Sequence, residues 1–243
     1  MRRIVAHRGQ RATFPENTLE GIRAAIRCGA RAVEFDVQMS ADHVPVVSHD
    51  ANLLRTAGID MDITQHSYEE LKQICVGEPS RFAQQYTSVR LPTLEAMVEE
   101  LLTMTEVLTF VELKDESIDA FGLDTFLYPV IEQLRRLQQQ CIVMAENLEV
   151  LLQLQKRMAT PIGWILHRLD EADFALAKQH TVDYLVINQK YCPAHYDFPT
   201  GKWKWIVYET RNPDKAVRLF EQGVSFVETN DVCQLLKRLP GYK

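Results

Sequence analysis

Ala32-Val33-Glu34-Phe35-Asp36-Val37, then Ser40-Ala41-Asp42-His43, then Val44-Pro45-Val46-Val47-Ser48-His49: the way these pieces join decides the architecture. The first and last are runs of β-branched, aromatic and other apolar residues and read as strands. Only about Ser40–His43 separate them. A parallel crossover needs a dozen or more residues, so the two must form an antiparallel hairpin. A turn near residues 41–43 pairs positions summing to about 83–85, which returns His49 opposite Glu34 or Asp36. A register slip of one residue would turn it to the other face.

With the Val44 run set aside as a hairpin arm, strands and helices alternate. Strands are expected at Ile4–His7, Ala32–Val37, Val107–Leu113, Cys141–Ala145, Pro161–Leu166, Tyr184–Asn188, Lys204–Glu209 and Val224–Thr229. Helices are expected at Asn17–Cys28, Ser67–Cys75, Thr93–Met104, Ser117–Gln139, Leu148–Met158, Glu171–Gln179, Pro213–Gln222 and Asp231–Leu239. Asn17 with Glu20, and Ser67 with Glu70, have capping spacing, and Asn212-Pro213 is a helix start. Eight β–α units in a chain of this length define a (β/α)8 TIM barrel. The expectation is a single barrel domain over 1–243, with a hairpin and a small inserted lobe, about 50–92, after the second strand. A long loop runs from Gln189 to Trp203.

The chain of 243 residues is 46% hydrophobic and 25% charged, so a full core can form. A net charge of −6 and the lack of a basic patch argue against nucleic acid as a partner. Cys28, Cys75, Cys141, Cys192 and Cys233 show no CxxC pair and read as reduced thiols. The run after Met1-Arg2-Arg3 is too short for a signal peptide, and no run reaches the ~20 apolar residues of a membrane span. The setting expected is cytoplasmic, without stable membrane anchoring.

Chemistry gathers at strand ends. Glu34 and Asp36 alternate on one strand and so share a side, and Glu112 ends its neighbour. Charged groups inside a barrel need partners. Two arrangements supply them: a hard cation, Mg²⁺ or Ca²⁺, held by Glu34, Asp36 and Glu112, or ion pairs from those acids to Arg8 and Lys114. His7 and His49 beside the acids are an acid–base pair suited to neutral pH. Arg8 and Lys114 are cations fit to grip phosphate oxygens. Trp205 either walls a substrate pocket or packs in the core. Gly9 permits a tight turn.

Ala6-His7-Arg8-Gly9 with Pro15-Glu16-Asn17-Thr18, Glu34-Phe35-Asp36-Val37, Val44 through Asp50, Leu53, Arg55-Thr56, Gly58, Leu91-Pro92-Thr93-Leu94-Glu95 and Val111-Glu112-Leu113-Lys114 form an ordered set over residues 4–114. It resembles the glycerophosphodiester phosphodiesterase family. The resemblance implies a barrel and one divalent cation on Glu34, Asp36 and Glu112. It also implies acid–base work by His7 and His49, phosphate contacts from Arg8 and Lys114, and a supporting place for Glu16. The implied substrate is a small glycerophosphodiester, cleaved to sn-glycerol 3-phosphate and an alcohol, through a cyclic phosphate by this resemblance or by direct water attack on the residues alone. The chain departs from the family pattern at Ala145, at Tyr208-Glu209 and at Asn230, residues expected around the alcohol pocket. Two rivals are a cyclising phosphodiesterase and a binding module that only senses phosphodiesters.

Overall fold

The computed structural model describes residues 4–104 and 106–239; the expected Met1-Arg2-Arg3 lead-in lies outside them. In chain order the strands are β1 (Ile4–Ala6), β2 (Ala32–Met39), β3 (Pro45–Val47), β4 (Leu108–Leu113), β5 (Cys141–Ala145), β6 (Ile162–Leu166), β7 (Tyr184–Asn188), β8 (Lys204–Tyr208) and β9 (Val224–Thr229). All but β3 pair in parallel, and β1 joins both β2 and β9, which closes an eight-stranded ring. This is the (β/α)8 barrel.

β3 is the hairpin arm. It pairs antiparallel with β2 at Val37↔Val47, Gln38↔Val46 and Met39↔Pro45. β1 meets β2 lower down, at Ala6↔Val33. The hairpin therefore takes the edge of β2 that β1 leaves open above the rim. In this register Ser48 falls opposite Asp36, and Ser48 N donates to the Asp36 carbonyl. The expectation that His49 itself opposes Glu34 or Asp36 is thus one residue out. The pairing stops at Val47 and His49 lies beyond it, so the strand alternation no longer dictates its face.

The helices are α1 (Leu19–Arg27), α2 (Leu54–Ala57), α3 (Tyr68–Leu71), α4 (Pro79–Phe82), α5 (Leu94–Leu102), α6 (Asp115–Phe121), α7 (Leu123–Leu134), α8 (Leu148–Gln155), α9 (Glu171–Gln179), α10 (Pro213–Glu221) and α11 (Val232–Arg238). The capping box of Ser67 and Glu70 starts α3 as expected. α1 is capped by Thr18 rather than Asn17, whose φ of 56° turns its amide toward β2. The long helix expected over Ser117–Gln139 is broken at Gly122, whose φ of 81° ends α6 and starts α7.

Apolar side chains form an outer layer between strands and helices and an inner cluster that plugs the barrel, with Val5, Ala32, Phe110, Met144, Ile165, Val186 and Ile206. A third cluster, Val46, Leu53, Ile63, Leu71, Val76, Val89 and Leu91, is the core of the lobe after β3. The expectation of five reduced thiols is corrected: Cys28 and Cys233 form a disulfide. Their separation of 205 residues hides the pair in sequence, but closure of the barrel brings the end of α1 beside α11. Among the described residues, no helix is long and apolar enough to cross a membrane.

Candidate active site at the mouth of the barrel

Glu34, Asp36 and Glu112 project inward near the ends of β2 and β4, where Asp36 pairs with Glu112. One carboxylate oxygen from each lies within 4.8 Å of the others. Arg8 N donates to Glu34 Oε2 at 2.8 Å, Asn17 Nδ2 to Asp36 Oδ2 at 2.8 Å, and Lys114 Nζ to Glu112 Oε1 at 2.7 Å. Arg8 Nε stands 3.1 Å from Asp36 Oδ2 as an ion pair, without hydrogen-bond alignment. The ion pairs to Arg8 and Lys114 expected from the sequence are thus formed with Asp36 and Glu112. The cations pair with the acids, yet two cations against three carboxylates leave negative charge over. Glu34 Oε1 and Asp36 Oδ1 are buried without a partner. Unpaired buried carboxylate oxygens are costly, and an all-oxygen set suits a hard cation. The cluster could hold a divalent ion; which ion is a matter for binding experiments.

The electrostatics follow from this crowding. Burial first, then Asp36 and Glu228, push the Glu34 carboxyl well above the usual range. Burial and Asp36 raise Glu112, although Lys114 opposes them. Burial also works against Asp36, but Arg8, His49, Lys114 and the Asn17 hydrogen bond outweigh it and hold Asp36 low. Burial opposes the charge of Lys114, and Glu112 and Asp36 override it, so its ammonium is held firmly protonated.

His7 ends β1 and is 5% exposed. Its Nδ1 lies 3.1 Å from Glu209 Oε2. A carboxylate can only accept, so Nδ1 carries the proton and Nε2 is left free, 3.8 Å from Glu34 Oε2. Burial and the neighbouring Arg8 lower the His7 pKa, outweighing the carboxylates of Glu209 and Asp36. The hydrogen bond from His7 is the main reason Glu209 sits at about 2. The pair is a neutral imidazole donating to a carboxylate. Asn230 Nδ2 donates to the same Glu209 oxygen at 3.0 Å.

His49 has a matching partner from its own neighbour: Nδ1 lies 2.5 Å from Asp50 Oδ1. Asp50 is in turn bound by Arg55 Nε at 2.6 Å, and Arg55 reaches Glu16 at 2.6 Å. Glu16, only 4% exposed, also binds Arg8 and Arg11. Burial resists its charge, but the Arg55 hydrogen bond and the three arginines hold it at about 2. Glu16 is thus a hub joining the lobe to the Arg8 loop. His49 follows the end of β3, and its charge helps to hold the Asp36 carboxyl low.

Gly9 makes the loop after β1. Its φ is 81°, and a Cβ there would lie 2.7 Å from the Gly21 carbonyl carbon. That approach locks the Arg8 turn onto α1.

The structure also places the other pocket candidates, and for Trp205 it takes the core alternative. Trp205 lies in the outer layer, where Phe174 and Phe198 pack on it and its indole donates to the Pro199 carbonyl at 2.9 Å. Strand alternation explains why: Ile206 faces the barrel interior and Trp205 the helices. Ala145 likewise faces the helices, and its neighbour Met144 faces in. Tyr208 does enter the barrel, with its ring 6.0 Å from that of His7. Asn230 acts through Glu209. Sequence reasoning missed Glu209 as a partner of His7 and Glu228 as a further interior acid; both are acids at the end of apolar strands, the signal that found Glu112.

A barrel whose mouth holds an acidic cluster able to take a cation, with two carboxylate-held histidines, carries the groups of metal-assisted acid–base chemistry. The chain belongs to the Glycerophosphoryl diester phosphodiesterase family, which it matches over residues 7–233. It is 33% identical over 134 residues, 55% of this chain and 50% of the relative, to a glycerophosphodiester phosphodiesterase of Bacillus altitudinis. It is 27% identical over 164 residues, 68% of this chain and 48% of the relative, to glycerophosphodiester phosphodiesterase 1 of Bos taurus. The matches thus span about half the length of these curated relatives. In structure it resembles an Oleispira antarctica phosphodiesterase solved with the product sn-glycerol-3-phosphate, with a TM-score of 0.84 at 24% identity over 97% of this chain and 95% of that one. A glycerophosphodiester phosphodiesterase from Parabacteroides distasonis gives 0.78 at 21% identity over 97% and 95%.

Proposed function

We propose that this chain hydrolyses glycerophosphodiesters to sn-glycerol 3-phosphate and an alcohol, with His7 and His49 as the acid–base pair and Glu34, Asp36 and Glu112 as ligands of Mg²⁺ or Ca²⁺. The observation that carries this reading is the pair of histidines, each with Nδ1 tied to a carboxylate and Nε2 free, flanking acids that keep two unpartnered oxygens. Family membership supports the reaction class. A bound divalent cation would supply Lewis-acid polarisation of a phosphoryl oxygen and acidify a hydroxyl beside it.

The side chains divide the remaining work. Arg8 and Lys114 hold the phosphoryl oxygens. His7, kept neutral by burial and Arg8, takes the proton of the glycerol 2-hydroxyl at Nε2, and that oxygen attacks phosphorus. His49 donates its proton to the leaving alcohol oxygen as the phosphorus–oxygen bond breaks. Water then opens the cyclic phosphate with the roles exchanged: His49 takes the water proton and His7 returns its own to the 2-oxygen. Each histidine contributes on the order of 10²–10⁴ in rate.

Glycerophosphocholine incubated with the protein and Mg²⁺, Ca²⁺ or EDTA tests this. Cation-dependent release of glycerol 3-phosphate is expected. A cyclic phosphate as the final product, seen by phosphorus NMR, would overturn it in favour of a cyclising enzyme, and tight binding without turnover would make the chain a sensor. The cytoplasmic setting also stands as a proposal. It has lost the support of five reduced thiols, since reducing compartments disfavour a disulfide such as Cys28–Cys233. Cell fractionation tests it.

A further inference from the structure

His49 lies beyond the last residue of β3, so no strand pairing fixes it. Among the described residues no backbone–backbone hydrogen bond reaches it either. What reaches it from the barrel is Gln38. Gln38 lies on β2 two residues beyond Asp36, and so on the same face of the strand. It is fully buried, and its Nε2 donates to the His49 carbonyl at 3.1 Å.

The amide is held on every side. Nε2 also donates to Glu116 Oε2 at 3.3 Å. Oε1 accepts from Ser117 Oγ, which itself accepts from Met39 N at 2.9 Å. The His49 carbonyl and the Glu116 carboxylate can only accept, so the NH2 end of the amide must face them. A buried polar network with its groups satisfied is rigid, and this one is built on β2 and the first turn of α6. The ring of His49, by contrast, meets only its own neighbour, Asp50, through Nδ1. That contact orients the imidazole within its stretch of chain. The Gln38 contact fixes where the stretch stands on the barrel.

We propose that Gln38 is a positioning residue for His49, holding the imidazole through its backbone carbonyl at the place where the leaving alcohol is protonated. This rests on the reading of His49 as the acid of the reaction. The competing role, a polar plug that only joins β2 to α6, gives a different result when the leaving group is changed.

Glycerophosphocholine loses choline, whose oxygen needs a proton as its bond to phosphorus breaks. The p-nitrophenyl ester of glycerol 3-phosphate loses nitrophenolate, a stable anion that departs without one. The test measures kcat/KM, which covers the steps up to release of the alcohol, for both esters with Mg²⁺ or Ca²⁺. The proteins are the wild type, His49→Ala and Gln38→Met, which keeps the volume of the side chain and removes its donors. Gln38→Met is expected to lower kcat/KM for glycerophosphocholine roughly tenfold, about the worth of one hydrogen bond, and to leave the nitrophenyl ester nearly unchanged. His49→Ala should show the same contrast on the larger scale of about 10²–10⁴. Equal losses on both esters in Gln38→Met, or no loss on either, while His49→Ala keeps the contrast, would overturn this proposal alone. No contrast in His49→Ala, or no turnover by the wild type, would overturn the reading of His49 and this proposal with it. Should Gln38→Met not fold, Gln38→Asn, which keeps an amide but draws it back by one methylene, takes its place with the same expected contrast.

Discussion

Glu209 gives the sharpest handle on the proposed acid–base pair. It touches His7 only through Nδ1, at 3.1 Å, so changing it should alter the base without moving the substrate. A hydrogen bond to a charged partner is worth about 1.5–3 kcal/mol. The Glu209 side chain is 35% exposed, and solvent screening brings the figure to the low end, about 1.5 kcal/mol. Since each 1.36 kcal/mol is tenfold in rate, Glu209→Ala should lower kcat roughly tenfold. Glu209→Gln should cost less, because an amide oxygen can accept from both His7 and Asn230 and preserve the tautomer. The pH profile separates this role from a structural one. Glu209 raises the His7 pKa, so both variants should move the acidic limb of kcat/KM to lower pH while the plateau falls and KM changes little. A structural lesion would lower the plateau and leave the limb in place. Wild-type turnover in Glu209→Ala, or an acidic limb that stays or moves upward, would refute the assignment of His7 as the base.

Three further outcomes are expected. In EDTA, thermal stability should fall as pH rises from about 6.5 to 8: burial and the neighbouring Glu112 and Asp36 raise Glu228 from 4.5 to about 8 in the folded chain, so folding holds a proton that the unfolded chain has released, and that stability is lost as pH climbs. His7, with a folded pKa below 6.5, acts only under that window; a melting temperature that is flat or rising across it would contradict the buried acid. Under denaturing conditions, thiol labelling should count three cysteines without reductant, Cys75, Cys141 and Cys192, and five with it, and reduction should remove up to about 5 kcal/mol of stability; five labelled thiols before reduction would disprove the bridge. Trp205→Ala should cost about 3–5 kcal/mol of stability, as large cavities in cores do, and leave KM unchanged, whereas Tyr208→Phe should leave stability nearly intact and alter KM; a KM change in a folded Trp205 variant would return Trp205 to the pocket.

The parts legible in the sequence were those governed by local periodicity and chain length. Glu34, Asp36 and Glu112 were legible because period-two alternation fixes a face, and the hairpin because four residues cannot carry a crossover. The register of His49 was not legible, because it depends on the exact turn: the observed pairing sets Ser48 opposite Asp36, one residue from the expected match. Trp205 could have been placed by the same alternation, had Tyr208 been put inside first. Glu228 carries the same signal as Glu34, an acid inside an apolar run. Glu209 and Asn230 were not legible as a pair with His7, because their contacts join residues 202 and 21 apart and depend on how the barrel closes. Cys28 and Cys233 were hidden for the same reason.

The two histidines are held by different means, and the difference fits different tasks. His7 is buried, and its carboxylate comes from the far end of the chain, fixed by Asn230 and approached by Arg11 at 3.7 Å. His49 is only partly buried, its side chain 33% exposed, and its carboxylate is its own neighbour, tied through Arg55 to the lobe. The first is anchored to the barrel wall, where a fixed position and a lowered pKa suit the proposed role of a base that starts neutral. The second rides on the lobe, at the edge where an alcohol would leave toward solvent. Glu16 couples them, since it binds both Arg55 and the Arg8 that touches Glu34 and Asp36. Removing its carboxylate would therefore leave Arg8 and Arg55 short of a buried partner together. Glu16→Gln should thus disturb both histidines, lowering kcat more than loss of Glu209 does. If Glu16→Gln instead changed only stability, the lobe and the barrel would be independent supports, and the link between them would be structural alone.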